Sequence, residues 1–205
     1  MLKTYRLLSR LLSYPDADIY RMLESTGQVM AEENLLDDKA ITGIAEFCRF
    51  FSSNTLIKWQ EHYVQLFDYS RSASLYLFEH LHGDSKDRGQ AMVGLIDLYQ
   101  SAGLQINRSE LPDYLPVFLE FLSLQTPTEA ASYLSEIIDI AGFIHYKLAE
   151  KDNPYRHLLY AVIHLSARKP DSTRITQLNS LMPEVSLDEA YEEKPVTFGC
   201  ENPIG

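Results

Sequence analysis

Apolar residues recur along most of this chain at intervals of three or four positions, which places them on one face of an α-helix. Residues 126–151 show the pattern most clearly. Thr126 can cap the first backbone N–H groups, Pro127 suits the first helical position, and Glu129 can complete a capping box. The apolar stripe that follows comprises Ala130, Leu134, Ile137, Ile138, Ala141, Ile144 and Leu148. We therefore predict a helix of about six turns here.

Shorter stripes of the same kind predict further helices. One comprises Leu56, Trp59, Tyr63, Leu66 and Phe67, and another Met92, Leu95, Ile96 and Tyr99. Helices are also predicted over residues 16–31 and 38–52, and a further one opens at Pro154 and ends at Pro170. Its inward-facing residues are Leu158, Leu159, Val162 and Leu165. Almost no segment alternates as a strand does, so we predict an all-α fold, a single compact helical bundle.

The N-terminal segment is amphipathic. Its apolar face comprises Met1, Tyr5, Leu8, Leu11 and Leu12. Because Arg6, Ser9 and Arg10 interrupt the apolar residues, the segment lacks the continuous run of roughly 7–15 residues that a signal peptide requires. We predict a first helix that belongs to the core, with a membrane-surface helix as the alternative.

The character of the chain changes at about Pro183. The carboxylates beyond it are Glu184, Asp188, Glu189, Glu192, Glu193 and Glu201. Lys194 is the only cation among them, and no apolar period continues. Acidic segments of this kind cannot bury enough apolar surface to fold alone. We therefore divide the chain into a helical domain, residues 1–182, and an acidic, disordered tail, residues 183–205.

The composition restricts the possible partners. A formal net charge of -11 argues against nucleic acid, since phosphate contacts need a positive surface, and it favours cationic partners such as a basic peptide. Cys48 and Cys200 do not form a CxxC motif, which suits a reducing compartment. No segment approaches the roughly 20 apolar residues of a membrane span. We expect a cytoplasmic protein without direct membrane insertion.

The stretch Tyr76–Met92 concentrates side chains that could carry chemistry. Possible metal ligands are Glu79, His80 and His82, with Glu61 and His62 one helix earlier. A metal-dependent hydrolase is therefore one alternative. However, His80 and His82 are two positions apart and would point away from each other on a helix. Because nucleophile-elbow and phosphate-loop motifs are absent as well, we predict no catalytic residue, no metal and no cofactor.

Residues 110–122 read E-L-P-D-Y-L-P-V-F-L-E-F-L. Pro116 has no N–H and clashes one turn back, so the helix must begin late or kink near Tyr114. In one interpretation this is a plain helix start, where Asp113 is favourable to the helix dipole. In the other, Asp113 and Tyr114 stand at an exposed edge and form the rigid lip of a peptide groove.

These segments together resemble the NarJ family, the nitrate reductase delta subunit or molybdenum-cofactor assembly chaperone, within the wider TorD/DmsD group. The matching segments are Leu7–Asp16, Glu61–Asp68, Ser74–Met92, residues 110–122 and Pro195–Gly199. The resemblance implies a helical bundle of the TorD/DmsD/NarJ type and a non-catalytic chaperone. Such a chaperone binds the N-terminal peptide of the nitrate reductase catalytic subunit until the molybdenum cofactor is inserted. Proteins of molybdenum cofactor biosynthesis are a second class of partner left open.

The resemblance and the acidic, aromatic composition together suggest a peptide site. Its predicted residues are Tyr63, Phe67, Asp68, Tyr76, Glu79, His80, His82, Pro112, Asp113 and Tyr114. In the wider group a histidine follows the L-P-D sequence, whereas this chain has Tyr114, so a histidine-dependent role does not carry over. A generic helical adaptor that binds through its acidic tail is the remaining alternative.

Overall fold

The computed structural model describes residues 1–81, 86–105 and 110–182. Its α-helices are α1 (Lys3–Leu12), α2 (Ala17–Met22), α3 (Thr26–Glu33), α4 (Asp38–Ser52), α5 (Leu56–Tyr63), α6 (Lys86–Ser101), α7 (Leu115–Ser123), α8 (Pro127–Glu150), α9 (Arg156–His164) and α10 (Ser172–Leu181). Within the described ranges, strand pairing is limited to one bridge between Tyr76 and Tyr114. The predicted all-α fold is confirmed.

The long helix α8 begins where its sequence predicts. The hydroxyl of Thr126 accepts a hydrogen bond from the N–H of Glu129, and the Glu129 carboxylate accepts one from the N–H of Thr126 at 3.1 Å. All seven residues of its predicted apolar stripe are buried. At 1.5 Å per residue the helix is about 36 Å long, and it packs against α7, α9 and α10.

The other helices pack in two neighbouring groups. Helix α1 lies along α7, while α9 packs against both α4 and α8. Aromatic rings fill the space at the end of α4. Trp59 donates a hydrogen bond from Nε1 to the Tyr155 hydroxyl at 2.7 Å, and its ring stacks on Phe51 at 4.8 Å between centroids. Because Trp59 and Tyr155 are fully buried and satisfy each other's polar atoms, this cluster fixes α5 against α9.

The N-terminal helix belongs to the core, as predicted. Tyr5, Leu8, Leu11 and Leu12 are buried, whereas Met1, expected on the same face, is 66% exposed. No helix of the described residues has the length and apolar character that a membrane crossing requires. The predicted acidic tail lies outside the described residues.

Two predicted helix boundaries are wrong. The helix predicted over residues 16–31 is interrupted by a 3-10 turn, Leu23–Ser25, and continues as α3. The helix expected to run to Pro170 ends at His164, although its four predicted inward residues are buried. Beyond this end, the Arg168 guanidinium binds the Asp139 carboxylate of α8 through two hydrogen bonds of 2.8 and 2.9 Å. This connection leads into α10, which we did not predict.

Helix α10 docks where α8 carries a glycine. A Cβ built on Gly142 would lie 2.7 Å from Cβ of Pro170 and 3.1 Å from Cδ1 of Ile175. We expect Gly142→Ala to lower the free energy of unfolding by about 1–3 kcal/mol, because the proline ring cannot yield. Urea denaturation measures the change.

A matched glycine provides the control. Gly94 is an exposed position inside α6 with nothing within 4 Å of a built Cβ. Gly94→Ala should raise the free energy of unfolding by about 0.5–1 kcal/mol through helix propensity alone. An equal gain for both variants would contradict the close packing at Gly142.

Candidate functional site

The Asp113 side chain is fully buried and joins three segments of the chain. Its Oδ2 accepts a hydrogen bond from the N–H of Phe78 at 3.1 Å and lies 3.6 Å from the guanidinium of Arg88 in α6. Its backbone carbonyl accepts a second bond, from the N–H of Leu77, at 2.9 Å. The carboxylate therefore holds the turn Leu77–Glu79 and the first turn of α6 against the start of α7.

The expectation that Asp113 and Tyr114 stand at an exposed edge is wrong. Asp113 is 0% exposed and Tyr114 is 9% exposed. Helix α7 begins late, at Leu115, as one of the two interpretations required, and the bridge between Tyr76 and Tyr114 covers its start. The cation that faces Asp113 is Arg88 of the same chain, which also lies 3.8 Å from the Glu79 carboxylate. Burial raises the pKa of Asp113 above its ordinary value.

Helix α6 is attached to the same short segment at its other end. The Tyr99 hydroxyl donates a hydrogen bond to the Pro112 carbonyl at 2.7 Å, and the Tyr99 ring is fully buried against Phe121. Arg88 and Tyr99 thus anchor the first and last turns of α6 to neighbouring residues, Asp113 and Pro112. Pro112 and Asp113, which the sequence predicts as peptide-site residues, therefore make contacts inside the protein.

Helix α5 leads directly into one turn of π-helix, Val64–Asp68. The N–H of Tyr69 bonds to the Val64 carbonyl at 3.3 Å, which is the i to i+5 pattern of such a turn. The wider turn leaves Phe67 buried and Asp68 exposed at its end. Single π turns inside helices are frequent at functional sites.

Two adjacent depressions lie near this turn, and Phe67 and Asp68 of the turn line the smaller one. The larger one, here called the groove, has a volume of about 630 Å³. Its apolar lining is Met1, Leu7, Ile19, Met22, Val29, Pro116 and Val117, and its charged lining is Lys3, Arg6, Arg10, Asp16, Glu110 and Glu120. The smaller one, here called the aromatic hollow, has a volume of about 130 Å³. It is lined by Tyr14, Tyr63, Phe67, Asp68, Leu75, Tyr76, Glu110 and Tyr114.

The two depressions form one continuous surface, because Tyr14, Glu110 and Tyr114 line both. Five of the ten predicted site residues line the aromatic hollow: Tyr63, Phe67, Asp68, Tyr76 and Tyr114. Glu79, Pro112, Asp113 and His80 line neither depression, and His82 lies outside the described residues. The structure thus brings half of the predicted set together around one small cavity.

The sequence interpretation missed the contribution of α1. Arg6, Leu7 and Arg10 line the groove, whereas the sequence pattern shows the two arginines only as interruptions of an apolar segment. Arg10 forms an ion pair with Asp16 at 3.3 Å. The Arg6 guanidinium contacts the sulfur of Met1 at 3.1 Å and has no carboxylate partner within the described part of the chain. The sequence signal for this contribution was the repeated arginine, Arg6 and Arg10, beside the apolar stripe of α1.

The histidines considered as metal ligands have structural partners. His80 is 6% exposed, with Nε2 at 2.8 Å from the Ser74 carbonyl and its ring packed edge-on against Phe143. Nε2 of His62 lies 3.0 Å from the Asn153 side-chain amide. Among the residues whose positions are described, no three His, Cys, Asp or Glu side chains are grouped to hold a metal ion.

Removing the Asp113 carboxylate tests its role as a junction. We expect Asp113→Ala to lower the free energy of unfolding by about 1–3 kcal/mol, because the Phe78 N–H loses its acceptor inside the protein. Asp113→Asn should cost less, since its amide oxygen can still accept that bond. Urea denaturation of both variants, beside Asp97→Asn at an exposed position of α6, measures the difference. Equal stability of all three variants would contradict the role.

Buried histidines predict how stability depends on pH. Burial lowers the pKa of His80, and also those of His62 and His145. The unfolded chain takes up protons near pH 6.5 while the folded chain does not, so stability is full above about pH 6.5 and falls as the pH drops below it. We expect His80→Gln to make this decline shallower, while His62, His145 and His157, whose pKa values burial also lowers, maintain the rest. Urea denaturation at about pH 7 and pH 5.5 measures it, and an unchanged slope would exclude His80 as a contributor.

Comparison with known proteins places this architecture in a family. Residues 33–161 match the family model described as "Nitrate reductase delta subunit". The nitrate reductase molybdenum cofactor assembly chaperone NarJ of Escherichia coli strain K12 is 33% identical over 204 residues, which are 97% of this chain and 86% of that protein. A second protein of that strain, described as the assembly chaperone NarW, is 31% identical over 96% of this chain and 84% of its own length.

A solved structure agrees with these relatives. A protein from Archaeoglobus fulgidus, described as a redox enzyme maturation protein, superposes with a TM-score of 0.57 at 26% identity, covering 79% of this chain and 91% of that one. These comparisons support a chaperone and not a hydrolase, as the sequence predicted. This chain belongs to the nitrate reductase delta subunit family.

Proposed function

We propose that this chain is a cytoplasmic assembly chaperone that binds the N-terminal peptide of a nitrate reductase catalytic subunit. It keeps that subunit competent for insertion of the molybdenum cofactor. The observation that carries the proposal is the continuous depression formed by the groove and the aromatic hollow. Membership of the family supports the choice of client, since its relatives carry the name of nitrate reductase assembly chaperones.

The groove has the character that helix-in-groove recognition requires. Leu7 of α1 and Pro116 and Val117 of α7 supply an apolar floor between two helices that pack tightly together. An amphipathic peptide can place its apolar face on such a floor while its polar face stays in water. Because α1 and α7 belong to the core, the floor is formed before the peptide arrives, which reduces the entropic cost of binding.

The rim of the groove carries charges of both signs. Glu110 and Glu120 line it together with Arg6, Arg10 and Lys3. Arg10 and Lys3 are already paired with carboxylates of this chain. Among the described residues this leaves one cation of the rim, Arg6, without a carboxylate partner, and two carboxylates, Glu110 and Glu120, without a basic one. The rim therefore favours a peptide with a net positive charge, in line with the overall charge of -11.

Isothermal titration with a synthetic peptide tests the function. The peptide covers roughly the first 15 residues of a nitrate reductase catalytic subunit, about four helical turns. We expect saturable binding with a negative change in heat capacity, because apolar surface is buried. Val117→Asp should weaken binding at least tenfold, about 1.4 kcal/mol, since it places a carboxylate on the apolar floor.

An exposed valine supplies the control. Val93 in α6 is 56% exposed and lines neither depression, so Val93→Asp should leave the affinity unchanged. No saturable binding to the unaltered chain would exclude the peptide function. Binding that neither valine variant changes would keep the function and move the site away from the groove.

A further inference from the structure

We propose that the aromatic hollow is a receptor for one cationic side chain, lysine or arginine, of the bound peptide. The inference rests on the proposed function and adds the chemistry that selects the client. Three independent features of the hollow support it: its unpaired carboxylates, the direction of the hydrogen bonds at its floor, and the shape of its walls.

The carboxylates at the mouth of the hollow have no cationic partner in the described part of the chain. Asp68 and Glu110 both line it and both are exposed, and neither has a basic partner among the described residues. Their charges reach the neighbouring rings, because burial together with Glu110 and Asp68 raises the pKa of the Tyr76 phenol. The hollow is therefore a site of negative potential that an anionic side chain would not enter.

The hydrogen bonds at the floor have one possible direction. The Tyr63 hydroxyl donates its only proton to the Leu12 carbonyl at 3.0 Å. It also lies 2.6 Å from the Tyr114 hydroxyl, which must therefore donate its own proton to Tyr63. Both protons are used inside the protein, so the two hydroxyls offer only acceptor lone pairs to a ligand. A group that binds there has to bring hydrogen-bond donors, as an ammonium or guanidinium does.

The walls accommodate the rest of such a side chain. Tyr14 stands edge-on to Tyr63 at 5.6 Å between ring centroids, and Tyr76 lies 5.2 Å from Tyr114. Aromatic faces attract cations, while Phe67 at the inner side offers apolar contact for a methylene stem. The volume of about 130 Å³ equals that of roughly four waters in the liquid. This volume admits the end of one side chain of the bound peptide, while the helical body of that peptide lies in the groove.

A charge cycle between peptide and protein tests this assignment. In the peptide, each lysine is replaced in turn by norleucine and each arginine by citrulline, which remove the charge and preserve the length. In the protein, Asp68→Asn and Glu110→Gln remove the carboxylates of the hollow. Glu120→Gln, in the groove but outside the hollow, is the matched control. Isothermal titration measures every pair.

We expect one peptide position at which loss of the charge weakens binding to the unaltered chain about tenfold. The same replacement should have less than about a threefold effect on the Asp68→Asn and Glu110→Gln variants, and the full effect on Glu120→Gln. Variants at exposed positions such as 68 and 110 are not expected to disturb folding, and their thermal midpoints check this.

The contrary results are distinct. Equal effects in all three variants would show a general charge effect and overturn the receptor assignment while leaving the peptide function intact. The receptor assignment is also overturned if no single peptide position loses its charge effect in the Asp68→Asn variant. If no peptide binds the unaltered chain at all, the proposed function fails and this inference fails with it.

Discussion

The site depends on one buried carboxylate. Asp113 has no exposed surface, yet its Oδ2 serves the backbone of Phe78 and the guanidinium of Arg88, while its Oδ1 has no hydrogen-bond partner among the described groups. Burying a carboxylate with incomplete pairing is costly, so its surroundings must stabilise it. Asp113 fixes the relative positions of the segments that it contacts. The segment that carries Tyr76 is held at a fixed distance from Tyr114, and the hollow lies between these residues and the π turn.

Position 114 extends this junction into the hollow. The hydroxyl of Tyr114 reaches that of Tyr63 across the cavity floor. The pair connects the start of α7 with the end of α5, and Tyr63 connects further to the last turn of α1 through Leu12. The two helices that form the groove are thus tied to the hollow by hydrogen bonds, so both parts of the depression keep one geometry. A preformed surface of this kind suits a protein that binds a client peptide and does not transform it.

The distribution of charge complements that geometry. Two arginines satisfy carboxylates of this chain: Arg88 those of Asp113 and Glu79, and Arg168 that of Asp139. The carboxylates of the hollow, Asp68 and Glu110, remain unpaired within the described residues. In the proposed function, selectivity for a cationic peptide comes from the exposed acids beside aromatic rings, while the buried carboxylate of Asp113 maintains the framework.

Local sequence determined the helices, since capping and apolar period act within a few residues. Thr126, Pro127 and Glu129 were sufficient to place the start of α8, and its stripe identified the buried face. The sequence also indicated five of the residues that line the hollow, because the segments that resemble the family carry these aromatic and acidic side chains. It misplaced Asp113, since burial depends on which segments cover a side chain, and the covering Tyr76 and Leu77 are more than 30 positions away in the chain.

Only the tertiary structure decided the partners of each charge and the extent of the binding surface. No local pattern distinguishes the carboxylate of Asp113, which meets Arg88, from that of Asp68, which stays in water. Nor could the apolar period show that Arg6 and Leu7 of α1 face the same groove as Val117 of α7, because helical spacing specifies a face but not its neighbour. The sequence by itself thus determined most of the helices and the class of protein. Packing between distant segments decided which side chains remain available to a client.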